Sequence, residues 1–501
     1  MKLLINTSKY LDLDLISELG KIPSAFVPVG GQRLFTHIFA SVSDLVFDEK
    51  WISIPSDYEL TDYDQDWLNR HSFHISRVEP SKSLAESVNV TLSAVSDGQL
   101  LMLHGDTLCK LPELTQECIF TAKTIHDYGW KKVMTKYTPE TSQKSIWAGA
   151  FYFDSTTRLS ECIAKSGYKF EIAVENYFKD SMKYVELVNW LDFSHVNTFF
   201  DSRKNFLQAR AFNSFQIKDN VITKVSSKAD KLKDEYNWFK SAPNHLRHYL
   251  PATYGSGHNC YSLEYLPLLP LNEIFILGCK DLTFWSLIMD RALQFTNETS
   301  TTYSKNITDN TTKELEQINQ YLFIDKLKER YNRINWEDLT ISHDIRSSIN
   351  DIYQYLVHRE LYQYGSLSYM HGDFCLSNIM FDMRNHQLKV IDPRGSSGSK
   401  TNKLGNINYD IAKLAHSFIG NYDGIVHSSF EGGNLELPAT NIEIAELFQE
   451  KLETKKYQVS AVITDVLVLF ISMVPLHYDN PQRQTQFLTN VIKLNEKYSI
   501  C

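Results

Sequence analysis

The stretch 367–395, LSYMHGDFCLSNIMFDMRNHQLKVIDPRG, decides how the longer part of the chain is read. It holds His371, Gly372 and Asp373 in a row, Asn378 five residues after that Asp, and Asp392 nineteen after it. Between them, the apolar runs Ile379–Phe381 and Leu388–Ile391 read as a hairpin that would present Asp392 to the His-Gly-Asp loop. Phosphoryl transfer needs a carboxylate to orient and deprotonate an attacking hydroxyl, and oxygen ligands that hold Mg²⁺ against the phosphates. A His-x-Asp-x-x-x-x-Asn loop followed by a strand and a second Asp supplies those groups in the order kinases use. On this reading Asp373 is the base, and Asn378 and Asp392 are the metal ligands.

The segment resembles the aminoglycoside-phosphotransferase and choline-kinase branch of the kinase-like fold, which carries HGD where protein kinases carry HRD and IDP where they carry DFG. The resemblance spans roughly 212–480. It implies a bilobal, kinase-like α+β domain over 212–501 that takes ATP, Mg²⁺ and the hydroxyl of a small molecule. Upstream, Ser214–Ile217 and Val221–Val225 read as a hairpin with Asp219–Asn220 in the turn, followed by a charged helix at Lys228–Lys240. Lys224 on that strand and Glu235 on that helix look like the phosphate-pairing lysine and its partner, with Lys228 as a rival. Only eleven residues separate Lys224 from Glu235, and no glycine-rich loop precedes the lysine. Tyr261-Ser-Leu-Glu264-Tyr265 resembles the strand that meets the adenine. Asn408-Tyr-Asp410-Ile-Ala-Lys413 resembles the helix whose Asp braces the catalytic loop.

The first 200 residues alternate short β-like runs with helical stretches, the rhythm of an α/β sheet. Met1–Ile5, Gln99–Leu103 and Ile146–Phe153 read as strands, and Leu34–Ala40 and Ser83–Val95 as helices. The second strand ends at His104-Gly105-Asp106-Thr107, and Trp190-Leu191-Asp192 follows another strand-like run, Tyr184–Val188. Strand carboxyl ends line the ligand crevice of an open α/β sheet. There Asp106 and Asp192 would share one Mg²⁺ and orient a nucleoside triphosphate for attack by a sugar phosphate.

This pattern is similar to the sugar-phosphate nucleotidyltransferases over about 1–200. It is carried by Pro23-xxxx-Pro28-Val-Gly-Gly-xx-Leu34, the Gly-Asp after a central strand, IWAGAFYF, Phe170-Glu171-Ile172 and WLD. The resemblance implies a Rossmann-like, GT-A-like sheet over 1–205 and a second triphosphate (CTP, UTP or GTP). It makes Asp106 and Asp192 the metal ligands, with Glu171 and Lys144 as sugar-phosphate contacts. The chain departs from that family after its first strand, where Asn6–Asp14 lacks any glycine and Ser24 stands where a lysine is expected. A loop with side chains on every residue approaches phosphates less closely. Either Lys9 and the backbone of Thr7–Ser8 take over, or the domain binds without turning nucleotides over.

Composition sets the bounds. The chain has 501 residues, enough for two to four domains, with 43% apolar and 22% charged residues, as in ordinary globular proteins. Its 51 basic against 60 acidic residues give −9, which speaks against a nucleic-acid partner. Seven scattered cysteines form no CxxC pair, so neither a zinc site nor a disulfide framework follows. No window approaches ~18 uninterrupted apolar residues, and acids follow the start too soon for a signal peptide. A cytoplasmic protein without a membrane span is expected. The polar segment Asn297–Thr312 reads as an exposed loop, and the aromatics of Tyr353–Tyr364 as helix packing or as a surface for a sugar or a quaternary ammonium.

The leading expectation is a bifunctional enzyme. Its C-terminal part would phosphorylate a small alcohol, a sugar in the first instance, and its N-terminal part would join that phosphate to a nucleotide for surface-glycan or capsule synthesis. The alternatives are a kinase fused to an inactive nucleotidyltransferase-like scaffold, and choline phosphorylation followed by cytidylyl transfer. The oligomeric state is left open.

Overall fold

The computed structural model of the chain describes residues 1–133, 144–179, 182–206, 213–304, 309–361, 364–396, 403–428 and 439–501. They form two compact units, Met1–Leu207 with Leu277–Cys279, and Gln208–Ile276 with Lys280–Cys501.

The first unit is a mixed α/β structure around a seven-stranded, mostly parallel sheet. Lys2–Asn6 is buried along its whole length, because its apolar side chains face covered layers on both sides of the sheet. It pairs in parallel with Glu49–Pro55 on one side and Leu100–His104 on the other, and Phe73–Val78 extends the sheet beyond Glu49–Pro55. Lys144–Phe153 then runs antiparallel between Leu100–His104 and Cys118–Thr124, and Tyr184–Glu186 closes that edge. One face is covered by the helices Leu84–Leu92, Thr156–Lys165 and Phe170–Phe178, which bury Val88, Leu159 and Val174 against Leu4, Met102 and Phe151. Ser83 and Glu86 start the first of these helices with reciprocal side-chain caps, each satisfying a backbone N–H of the opening turn. The register sets Asn6 opposite both Ser53 and His104, so three parallel strands end together at one edge.

The second unit begins with a four-stranded antiparallel sheet, in the order Asn213–Lys218, Val221–Ser226, Cys260–Glu264, Thr253–Ser256. Asp219 (φ 49°) and Asn220 (φ 59°) both take the left-handed conformation that a two-residue hairpin needs. The helix Ala229–Ser241 follows, and the remainder is largely helical. Within the helical part, the hairpin Ile379–Asp382/Gln387–Val390 and the pair Leu367–Tyr369/Leu404–Asn406 frame the His-Gly-Asp loop.

One expectation does not hold. Asn297–Thr312 is not an open loop: the helix Leu282–Ser304 runs through its first half, Asp309–Asn319 starts within its second, and 305–308 lie outside the described residues. Thr296, Thr299 and Ser300 are buried, and their hydroxyls donate to the carbonyls three residues back at 2.9, 2.7 and 2.8 Å. The helix thus satisfies its own polar side chains, which a composition reading cannot see.

Also, one helical stretch, Val459–His477, is long and apolar enough to cross a membrane by length and composition. Ser460, Thr464, Asp465 and Ser472 interrupt its apolar run, as in a helix built into a core. Most of it is buried inside the unit, where Val459–Met473 packs on Ile407–Phe418 and Pro481–Tyr498. Its single acid, Asp465, takes Arg359 at 2.8 Å and the Tyr364 hydroxyl at 2.7 Å.

Candidate active sites

At the edge where the parallel strands of the first unit end, Trp190–Asp192 pairs antiparallel with Thr107–Cys109, and Asp192 stands opposite Thr107. The amide of Phe193 donates to the carbonyl of Asp106 at 2.8 Å, so the two acids, 86 residues apart in sequence, meet here. Burial raises the Asp192 carboxyl to about 7, and the charge of Asp106 adds to the shift. Opposing it, Ser194 Oγ donates to both carboxylate oxygens at 2.8 and 2.9 Å, and the Thr198 hydroxyl donates to Oδ2. Two hard carboxylates that repel each other in a buried setting fit a Mg²⁺ whose remaining positions come from water or phosphate oxygens. No cluster of three or more His, Cys, Asp or Glu suited to a metal occurs among the described residues, so substrate oxygens would have to complete the shell.

Gly105 has no room for a side chain. A β-carbon there would stand 2.6 Å from Thr7 Cβ and 2.9 Å from Ala25 Cβ. The glycine-free loop is held in the same packing. The Thr7 amide donates to the Ser53 carbonyl at 3.1 Å, and Thr7 Oγ1 accepts the Ala25 amide at 2.9 Å and lies 3.1 Å from Ser24 Oγ. Ser53 and Ser87 both donate to Asn6 Oδ1, at 2.7 and 3.1 Å, and Ser87 also meets Ser8 Oγ. Ser24 thus anchors the loop through its hydroxyl, and the Thr7 amide is committed to the sheet. Lys9 is exposed beyond it.

Gly30 and Gly31, at φ 58° and 80°, form the tight turn of a small hairpin, Pro28–Val29 with Gln32–Arg33. Arg33 is buried and paired with Asp64 through two hydrogen bonds of 2.8 Å, a structural use of that motif. Lys144 opens its strand and pairs with Asp127 at 2.7 Å, beside Lys132, while Glu171 lies exposed in the first turn of Phe170–Phe178.

In the second unit, Lys224 Nζ stands 2.8 Å from Glu235 Oε2 and 3.0 Å from Asp392 Oδ1. The side chains of Lys224 and Glu235 are only 6% and 4% exposed, so their pairing is no surface contact. Burial opposes the lysine's charge, yet Asp392 and Glu235 hold its pKa above the ordinary value. The rival Lys228 precedes the helix and donates its backbone amide to Ser226 Oγ, while Lys231 reaches Glu235 at 3.7 Å. The short spacing follows from the strand Val221–Ser226 leading almost directly into the helix. Tyr261 donates its hydroxyl to Glu235 at 3.0 Å. Glu264 ends the inner strand Cys260–Glu264, with its carboxylate accepting the Ala252 amide at 3.1 Å.

The His-Gly-Asp loop is tied down from three sides. Asp410 accepts the amides of His371 and Gly372, both at 2.8 Å, although burial raises its carboxyl to about 7. His371 Nε2 lies 3.0 Å from the Ile391 carbonyl, so that nitrogen carries the proton and Nδ1 accepts the Asp373 amide at 3.3 Å. Burial lowers this ring to about 4, leaving it neutral at neutral pH. The Asn378 amide nitrogen donates to the Asp373 carbonyl at 2.8 Å and to Oδ2 at 3.0 Å, which leaves its oxygen as the end a cation would take. Asp392 sits at φ 54°, a left-handed position that Asp tolerates better than most residues. A group that sequence reasoning left without a role is Lys413, whose Nζ lies 2.9 Å from Asp373 Oδ1. Its spacing from Asp410, three residues along one helix, was the available signal. Tyr353 stacks on Tyr331 at 3.8 Å, which favours the packing reading of the aromatic run.

No protein-family model matches the chain, and no curated protein matches it. Among solved structures, the N-terminal part is similar to HddC from Yersinia pseudotuberculosis, at 13% identity over 41% of this chain and 99% of that one, with a TM-score of 0.32. It is also similar to CTP:phosphocholine cytidylyltransferase from Streptococcus pneumoniae, at 13% identity over 41% and 98% with a TM-score of 0.32. A third is the inositol-1-phosphate CTP transferase from T. maritima, at 12% identity over 42% and 97% with a TM-score of 0.31.

Proposed function

We propose that the chain is a bifunctional enzyme in which the second unit phosphorylates a small alcohol with ATP and the first transfers a nucleotide to the resulting phosphate. The observation that carries the reading is that Lys224 bridges Glu235 and Asp392 while Asp373 and Asn378 are joined in the adjacent loop. The approach of Asp106 to Asp192, joined through the Phe193 amide, supports the second activity.

In the kinase step, Asp373 orients the acceptor hydroxyl and takes its proton. Lys413 holds one oxygen of that carboxylate and Asn378 the other, so its orientation is set before substrate arrives. Lys224 meets the phosphates of ATP, and His371 and Asp410 keep the loop in place. Mg²⁺ held by Asn378 and Asp392, and in the first unit by Asp106 and Asp192, would supply charge neutralisation of the phosphates. The first unit's product is a nucleotide-activated small molecule of the kind consumed in surface-glycan assembly, made in the cytoplasm.

Incubation with ATP, one of CTP, UTP or GTP, Mg²⁺ and a panel of alcohols tests the scheme. ADP and pyrophosphate should both accumulate with one acceptor, the first requiring Asp373 and the second Asp106. ADP without pyrophosphate would sink the bifunctional claim. That outcome would favour the second reading, a kinase with a binding module, which the hydroxyl-filled loop at Thr7–Ser8 supports.

A further inference from the structure

Cations gather around Asp373 beyond those the kinase step uses. Arg394 donates its backbone amide to the His371 carbonyl at 2.8 Å. Its side chain lies on Gly372, where a β-carbon would meet Arg394 Cβ at 2.8 Å and Cδ at 3.3 Å. From there Nη2 donates to the Tyr321 hydroxyl at 3.3 Å. Lys326 donates to the Tyr409 hydroxyl, one helical turn before Lys413, and Lys413 touches Asp373 at 2.9 Å. Arg330 follows Lys326 by four residues on the helix Lys326–Tyr331, and therefore shares its face.

These groups are under-compensated. Burial pushes Lys326 well below its ordinary pKa, and the charges of Arg394, Lys413 and Arg330 push it further, against Asp373 as the opposing acid. Burial also lowers Arg330, where Glu329 opposes and Arg333 and Arg394 add to the shift. Arg330 Nε and Nη1 and Arg394 Nη1 are buried without a hydrogen-bond partner among the described residues. A buried N–H without a partner is costly, more so when charged, so a site that keeps three of them is built for an incoming acceptor of hydrogen bonds.

We propose that Arg330, Lys326 and Arg394 form an oxyanion site for the acceptor, so that the alcohol phosphorylated at Asp373 itself carries a phosphate or a carboxylate. The inference rests on the kinase reading of the second unit. The acceptor hydroxyl oxygen forms a bond to the γ-phosphorus while the bond to the β–γ bridging oxygen breaks. Its proton passes to Asp373, and ADP leaves with the bonding pair. The triphosphate is the other source of oxyanions, but Lys224, paired with Glu235 and Asp392, serves that side. A quaternary ammonium such as choline would meet like charge here.

Calorimetric binding of inorganic phosphate to the full chain, saturated with a non-hydrolysable ATP analogue and Mg²⁺, tests the site. Phosphate should still bind beside the analogue, and R330Q should weaken it at least tenfold while leaving affinity for the analogue within about twofold. K326M repeats the test if R330Q fails to fold. Absence of phosphate binding, equal binding by the variants, or displacement of phosphate by the analogue would each overturn the proposal, the last by assigning the cations to the nucleotide. The kinase reading is decided separately, by whether ADP release from the wild type is lost in D373N.

Discussion

Lys413 Nζ stands 2.9 Å from Asp373 Oδ1, a contact between one helix and the loop that two backbone bonds to Asp410 hold beside it. The ammonium is buried, and although burial opposes its charge, Asp373 keeps its pKa far above the ordinary lysine value. A permanent cation therefore fixes the orientation of the proposed base. K413M should lower kcat for ADP formation on the order of 10²-fold, the scale of a lost preorganised charge, with KM for ATP nearly unchanged. K413R should recover part of the rate. A rise in KM for ATP alone would place Lys413 on the nucleotide instead.

Asp192 makes the first unit sensitive to pH in an unusual direction. Its carboxyl is raised to about 7, so the stability it contributes is complete below the unfolded value near 4 and is lost as pH rises through 7. Without divalent cations, D192N should therefore unfold at a higher temperature than the wild type at pH 8, and at nearly the same temperature at pH 4. Pyrophosphate release should be lost in the same variant.

His371 acts in the opposite sense. Its ring is lowered to about 4 by burial, so the stability it contributes is present above the unfolded value near 6.5 and is lost as pH falls through 4. The size is on the order of 3 kcal/mol. Thermal melts of the wild type and H371Q between pH 4 and 8 should differ in slope between 6.5 and 4. The kcat profile for ADP formation should show no inflection from this histidine above pH 5.

Removing the acid from the apolar helix should be costly in one specific way. D465A leaves the Arg359 guanidinium in the core without its 2.8 Å partner, a change worth about 3–5 kcal/mol. The pair R359M/D465L, which removes both charges, should recover much of that loss in urea unfolding. Equal destabilisation by the single and double variants would show that the ion pair itself holds the helices together.

Gly105 offers a steric probe of the loop. G105A forces a methyl to within 2.6 Å of Thr7, so about 1–3 kcal/mol of stability should be lost. ADP formation should be untouched and pyrophosphate release reduced.

Local patterns were legible in the amino acids, and long-range ones were not. Leu34–Ala40 is helical over the range its spacing predicts, and the turn at Asp219–Asn220 follows from two residues that accept left-handed backbone. The alternating runs of the first 200 residues do build a mixed α/β sheet. Its antiparallel insertion, Lys144–Phe153 beside Leu100–His104, depends on pairing across forty residues and leaves no local mark. Leu45–Phe47, apolar but with Val46 82% exposed, forms no strand. In the candidate sites, the acids were visible because they stand in short motifs, His-Gly-Asp, Ile-Asp-Pro and Trp-Leu-Asp. Lys326 and Arg330 lie some sixty residues before Arg394, which ends the Ile-Asp-Pro run, and carry no motif of their own, so only folding brings them to Asp373.

The hydroxyl chain under the first loop has a thermodynamic consequence. A run of glycines is floppy until its ligand orders it, and that ordering is subtracted from affinity. Here Ser24, Ser53, Ser87 and Asn6 hold Thr7 and Ser8 through side-chain hydrogen bonds of the protein's own. The rim of the crevice is therefore rigid before any guest arrives. On the proposed function, discrimination at this edge comes from shape selected in advance, not from a loop that moulds itself around what it holds.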